Sequence, residues 1–385
     1  MHVLILGARA PACLEWARAF RAAGWQVTVA DSLARPITRS SNAIDAYIRL
    51  PEPRSDPSVW IAALQEIVSS RNIDMILPTC EEVFYLAYGK AQLSLHCQVL
   101  VADMSTMHRL HHKYQFSRLA LELSINAPET RLLETPGAVM ALASQSADWV
   151  FKPAYSRFAR QTLIRPPPNL LSQVRPDHAQ PWVAQRFVAG KEYCSFSFLN
   201  EGNLTAHACY QPRYRVGRGS GIYFQPSEVS AIQDFLVQFG AMTGYTGQVG
   251  FDFIESPDGR LHVLECNPRA TSGVHLFGDQ SRALVASLSA GQQASVLLQS
   301  PEPRMIAFAM LLFVAPRQAF LADFWRNFGQ ARDVVTSAGD RGPLFGQFVG
   351  LLEIIGRALA RRCGLIAAAT ADIEWDGQPM DDTAR

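Results

Sequence analysis

Lysine is nearly missing from this chain. Of 35 basic residues in 385, only Lys90, Lys113, Lys152 and Lys191 are lysine, and arginine carries the rest. Such a chain keeps lysine where a compact ammonium is needed, which makes those four positions candidates for specific work. Charge imbalance is missing too: the net charge of +1 gives no electrostatic case for nucleic acid or an acidic membrane surface. Seven scattered cysteines (13, 80, 97, 194, 209, 266 and 363) show no CxxC pair and no zinc spacing, which argues against a disulfide framework and for a reducing, cytoplasmic location. No run reaches the roughly 18 uninterrupted apolar residues of a membrane span, so no transmembrane segment is expected. The best candidate, MIAFAMLLFV at 305–314, is strand-sized. The start, MHVLILGARAPAC, lacks a basic leader and an A-x-A site and reads as a strand. GxSxG, HExxH and GxxxxGK[ST] are all absent.

What is present begins as a doubly wound α/β unit. HVLILGA is a buried-type strand, PACLEWARAFRAAG a helix closed by Gly24, and WQVTVAD a second strand; SVWIAALQEIVSSR and IDMILPT continue the alternation. A nicotinamide dehydrogenase with Asp31 on the ribose is the obvious rival, but GARAPA lacks the second and third glycines of G-x-G-x-x-G. A single long helix, MSTMHRLHHKYQFSRLALELS, carries Lys113 beside its apolar stripe. The adjacent His111 and His112 point to different sides of it and make a poor metal pair. WVFKPAYSRF is a strand entering a loop, with Lys152 before Pro153. PWVAQRFVAGKEYCSFSFL is two strands around a Gly190 turn, and YQPRYRVGRGSGIYF a polar loop.

The most pointed stretch is GFDFIESPDGRLHVLECNPR at 250–269, two apolar runs joined by a turn that place acidic residues where burial would be costly. With Ser256–Gly259 as the hairpin loop, Asp252 falls opposite Val263, on one face with Glu265 as a diagonal neighbour. Asn267 returns to that face by period-two alternation. Two carboxylates and an amide oxygen form a hard ligand set suited to Mg²⁺.

Helix lysine, strand lysine, a strand exit with a glutamate, and a carboxylate hairpin, in this order over roughly residues 1–280, resemble the ATP-grasp superfamily. The ILPTCEE strand end resembles its Rossmann-like preceding domain. That resemblance implies α/β and α+β architecture: a Rossmann-like domain (1–103), two ATP-grasp subdomains (104–184 and 185–300), and a small C-terminal α+β unit (301–385). It implies that Lys113 and Lys152 contact ATP phosphates, that Gln185, Arg186, Phe187 and Val188 line the adenine, and that Glu192 takes the ribose hydroxyls. Asp252, Glu265 and Asn267 would hold Mg²⁺ (or Mn²⁺), and Arg269 would face the transferring phosphoryl group. Where many members have a glycine-rich loop, this chain has AYSRFARQT; Ser156, Arg157 and Arg160 stand in its place. Arg157, Arg213, Arg215 and Arg218 are candidate substrate contacts. The implied activity is an ADP-forming ligase that activates a small-molecule carboxylate for attack by an amine; the alternatives are a kinase or carboxylase-type enzyme, or a non-catalytic nucleotide-binding protein. The C-terminal stripe of Leu351, Ile355 and Leu359 leaves open core packing, a homodimer contact or contact with a lipid-like substrate, core packing being the usual outcome.

Overall fold

A computed structural model describes residues 1–156, 161–217, 219–289 and 295–380. Arg157, Arg160 and Arg218 lie outside the described residues. The N-terminal sheet is parallel, with the strands Ala46–Arg49, Gln26–Asp31, His2–Leu6, Met75–Leu77 and Gln98–Val99 in that spatial order. His2–Leu6 is buried along its whole length, which explains its unbroken apolar run. Helices flank it: Pro11–Ala22, after which Gly24 takes a left-handed φ of 82°, and Pro57–Arg71, capped by Asp56 on the Val59 N–H. The carboxyl ends of the strands therefore collect Gly7–Arg9, Asp31 and Thr79–Glu82 along one edge, where open α/β sheets present their crevice.

Two antiparallel sheets follow. The four-stranded one orders Thr130–Leu133, Trp182–Arg186, Trp149–Pro153 and Leu163–Ile164 over a small core of Val139, Trp149, Phe151 and Leu171. The large one orders Leu261–Asn267, Gly247–Glu255, Lys191–Asn200, Asn203–Val216, Ser220–Pro226, Arg304–Met305 and Arg332–Asp333, with Leu297–Leu298 beside Asn203–Val216. The two strands expected around Gly190 do not pair with each other; they belong to different sheets, and 187–190 is the bridge between them. Gly190 is required there, because a Cβ would sit 2.0 Å from the Glu255 carbonyl oxygen.

Four local expectations change. The long helix is two, Met104–His111 and Lys113–Glu122, broken at His112, whose extended ψ of 107° lets its ring accept from the Gln115 N–H. The expected polar loop is an antiparallel pair, Asn203–Val216 with Ser220–Pro226. The run 305–314 is mostly helical, as Ala307–Ala309 continues into Met310–Val314; Met310 and Val314, four apart, are the buried face. A short apolar run fits a helix or a strand equally well, and only tertiary contacts choose. Finally, the helix Gly342–Arg361 lies against Ile37–Ser40 through glycine: a Cβ at Gly342 would meet the Ser40 carbonyl at 1.8 Å, and one at Gly346 the Ser40 hydroxyl at 2.1 Å. Leu351 and Ile355 are half-buried and Leu359 is 75% exposed, so core packing accounts for little of that stripe.

Candidate active site

The hairpin register differs from expectation in an instructive way. The loop is one residue longer, pairing Glu255 with Leu261, and a bulge at Leu264 adds a second shift, so Asp252 lies directly opposite Glu265. A one-residue slip turns a strand over, but two slips restore the face. The bulge is anchored from outside: the Val263 N–H donates to the Asn126 carbonyl at 3.0 Å, and Gln185 Nε2 donates to the Leu264 carbonyl at 3.1 Å. Gln185 thus ties the small sheet to the acidic hairpin. Its strand is paired on both sides, to Thr130–Leu133 and Trp149–Pro153.

Both candidate lysines reach the hairpin. Lys152 Nζ lies 3.2 Å and Lys113 Nζ 3.6 Å from the same Glu265 Oε2, and both lysines are buried. Lys113 begins its helix, with its N–H on the Ala154 carbonyl and its ammonium donating to the Ser156 carbonyl at 2.7 Å. The order of these contacts makes electrostatic sense. Burial works against ionisation of Glu265, yet Lys113 and then Lys152 hold its carboxyl well below the usual range. Asp252 has the same burial and the Glu265 charge beside it, and both push its carboxyl up. Two ammonium groups outweigh burial at Glu265, whereas the hydrogen bonds and the Arg215 charge that reach Asp252 do not.

Asn267 sits between the hairpin and the N-terminal domain. Its Nδ2 donates to Asp252 at 3.3 Å, and its Oδ1 accepts from Arg269, also at 3.3 Å. Arg269 donates through Nε to Glu81 at 2.7 Å. Glu81 is a site residue that sequence reasoning passed over, although it follows the IDMILPT strand within the quoted ILPTCEE. The next residue, Glu82, accepts from the Thr79 and Cys80 N–H groups; burial pushes its carboxyl up to about 7.

The remaining candidates spread outward. Arg186 and Phe187 donate their N–H groups to the Glu129 and Asp148 carbonyls at 2.8 Å; Arg186 lies over the Trp149 ring, Arg165 over that of Phe187, and Val188 is half-buried on the bridge. Any base-reading by this stretch therefore falls beyond Arg186, where strand pairing ends. Glu192 is exposed and paired with Arg215; Arg213 is exposed. Asp31, the residue a dehydrogenase would need for ribose, is held by Arg9 Nη2 at 2.6 Å.

The donor set fits a hard divalent cation. Asp252 and Glu265 face each other across one strand pair, and the Asp252 carboxyl, raised by its acidic neighbour, gains from any added positive charge. Among the described residues no group of three or more His, Cys, Asp or Glu gathers for a metal, so the protein ligands would be the two carboxylates and Asn267. Binding through the amide oxygen would require Arg269 to release it.

A Rossmann-like sheet, a small antiparallel subdomain bearing a lysine, and a large sheet bearing the acidic hairpin together make the ATP-grasp fold, and this chain has it. No family model matches the sequence, and no curated protein is significantly similar to it. Solved structures are similar throughout most of the chain. An L-amino acid ligase from Bacillus licheniformis superposes with a TM-score of 0.60 at 14% identity, covering 75% of this chain and 74% of that one. Phosphoribosylamine–glycine ligase from Thermotoga maritima gives 0.57 at 17% identity, covering 79% and 78%. The biotin carboxylase domain of Hydrogenobacter thermophilus 2-oxoglutarate carboxylase, a dimer solved with MgADP, ADP and bicarbonate, gives 0.59 at 12%, covering 78% and 73%.

Proposed function

We propose that the protein is an ATP-dependent carboxylate–amine ligase that releases ADP and phosphate. The observation that carries this reading is the meeting of Lys113 and Lys152, from two different elements, on one Glu265 oxygen opposite Asp252. ATP is the substrate that enters between the small and large sheets. Lys113 and Lys152 neutralise its phosphate oxygens as compact charges, Val188 and Phe187 flank the base, and Glu192 accepts from the ribose hydroxyls once Arg215 yields. Magnesium, held by Asp252, Glu265 and Asn267, would supply charge neutralisation at the phosphate oxygens. Arg269, buttressed by Glu81, points its guanidinium where negative charge develops as phosphoryl moves to the substrate carboxylate. The amine then attacks the acyl phosphate and phosphate leaves. Positioning and charge do this work, with no protein nucleophile. Arg213 and Arg215 are the described candidates for the substrate carboxylate.

The test is product analysis. Purified protein with Mg-ATP and pooled carboxylic and amino acids is expected to give ADP, phosphate and a condensed mass by mass spectrometry. A stable phosphorylated product, or strict bicarbonate dependence, would replace the amine ligase with the kinase or carboxylase reading.

A further inference from the structure

The C-terminal region reverses the usual inside-outside pattern. Thirteen of the twenty-three exposed large apolar side chains among the described residues fall between Leu311 and Ile366. They include Phe320 at 82%, Phe345 at 69% and Leu352 at 67% exposure. The cause is geometric. Gly342, Gly346 and Gly350, spaced four apart, turn the bare side of their helix onto residues 35–40, which sends the phenylalanines and leucines outward. The face continues onto the segment 307–318 through the Phe308–Phe348 ring contact, with centroids 4.8 Å apart. Between the two runs an apolar groove of about 250 Å³ is lined by Leu33, Ile37, Phe308, Leu312 and Leu351. A contiguous apolar area of this kind marks a contact surface.

Charge decides what the partner is. Between Leu311 and Ile366 six arginines are exposed; Arg326 pairs with Asp323, Arg332 with Asp279 and Glu302, and Arg361 with Glu52, which leaves Arg317, Arg341 and Arg362 as the local basic excess that the whole-chain charge of +1 hides. Arg317 donates to the Phe313 carbonyl at 3.3 Å, and Arg362 caps the C-terminal end of the helix Gly342–Arg361. In a symmetric dimer the same patch meets itself and sets arginine against arginine. An anionic lipid surface complements both the apolar face and its basic rim. Trp325, 51% exposed, already donates its indole N–H to the Ala319 carbonyl at 2.7 Å, so it carries no unmet donor into an apolar phase.

By length and composition Gly342–Arg361 is apolar enough to cross a bilayer, with 22% of its apolar window buried. Its fastenings argue for a different placement. Glu353 accepts from the Ala34 and Arg35 N–H groups and Arg357 donates to Asp372, so the helix is held lengthwise along the fold. We propose that this helix and residues 307–325 form a monotopic surface that seats the protein on an anionic bilayer, in the plane of the headgroups.

The test is flotation of the full chain with vesicles of phosphatidylcholine alone or mixed with phosphatidylglycerol. Wild type is expected to float with the mixed vesicles. The pair Phe345→Ser and Leu352→Ser should weaken this at least about tenfold. Arg317→Glu with Arg362→Glu should weaken it and flatten its salt dependence. Both variants keep the wild-type melting temperature, because their side chains point outward. Failure of wild type to float at millimolar lipid would overturn the proposal. So would equal binding to neutral vesicles, or a wild-type dimer in sedimentation that the Phe345/Leu352 variant abolishes.

Discussion

Two clusters of charged groups in this molecule, one buried and one half-buried, are built from the same ingredients and finished differently. At the strand ends of the N-terminal sheet, Arg9 bridges Asp31 and Asp372, each at 2.6 Å, with Ser32 and Arg357 completing Asp372. Burial opposes the Asp372 charge, but Arg9, Ser32 and Arg357 together bring its carboxyl down to about 2. At the hairpin, two lysines meet Glu265 while Asp252 faces it with hydrogen bonds from Asn267 and Cys194 and the more distant charge of Arg215, and burial and Glu265 still raise the Asp252 carboxyl. Internal closure marks the first cluster as a structural tie between the C-terminal segment and the sheet. Incomplete compensation at the second is what the proposed cation and phosphates would complete.

Substitutions should separate the two. Glu265→Gln is expected to lower ATP turnover by about 10³-fold, the scale of losing a transition-state charge contact, while the fold persists; ADP release measures it, and full retained turnover would make the hairpin structural. Asp372→Asn should cost about 3 kcal/mol of stability, because it takes one of two carboxylates from the buried Arg9 and also the partner of Arg357; urea unfolding reports this, with ATP affinity unchanged. Lys152→Met is expected to raise the KM for ATP by about 30-fold, or about 2 kcal/mol, by removing one phosphate contact. Mg-ATP should raise the wild-type melting temperature by several degrees, through binding to the folded state, and leave Asp252→Asn almost unmoved. Chelation with EDTA should reverse the shift.

The smallest effect concerns acid. Asp372 has a folded value of about 2, below its unfolded value of about 3.9. Its stabilisation is therefore complete above pH 4 and lost as pH falls through 2. Wild type and Asp372→Asn should differ in stability at pH 5 and converge below pH 2. A constant gap would mean that the tie is not ionic.

Much of the grouping of the candidate residues was legible because its signals are local. Lysine scarcity flagged four positions, of which Lys113 and Lys152 reach Glu265 while Lys90 pairs with Asp103 and Lys191 is exposed, and strand alternation put Asp252, Glu265 and Asn267 on one face. The bulge at Leu264 was not legible: its exposed backbone groups are met by Asn126 and Gln185, which lie far away in sequence. Glu81 escaped for the same reason, since its partner Arg269 is 188 residues away. So did the break at His112, whose ring packs near Tyr155 and His108.

Sequence alone determined the order of parts: a parallel sheet first, then a lysine on a helix, a lysine on a strand and an acidic hairpin, because periodicity and turn chemistry act over a few residues. Tertiary structure decided which groups complete one another and which way an apolar helix faces. The helix Gly342–Arg361 shows why. Its pattern announces an apolar stripe, but only the close approach of Ser40 reveals that glycine is the buried side. Burial is a property of distant neighbours, and no local pattern contains them.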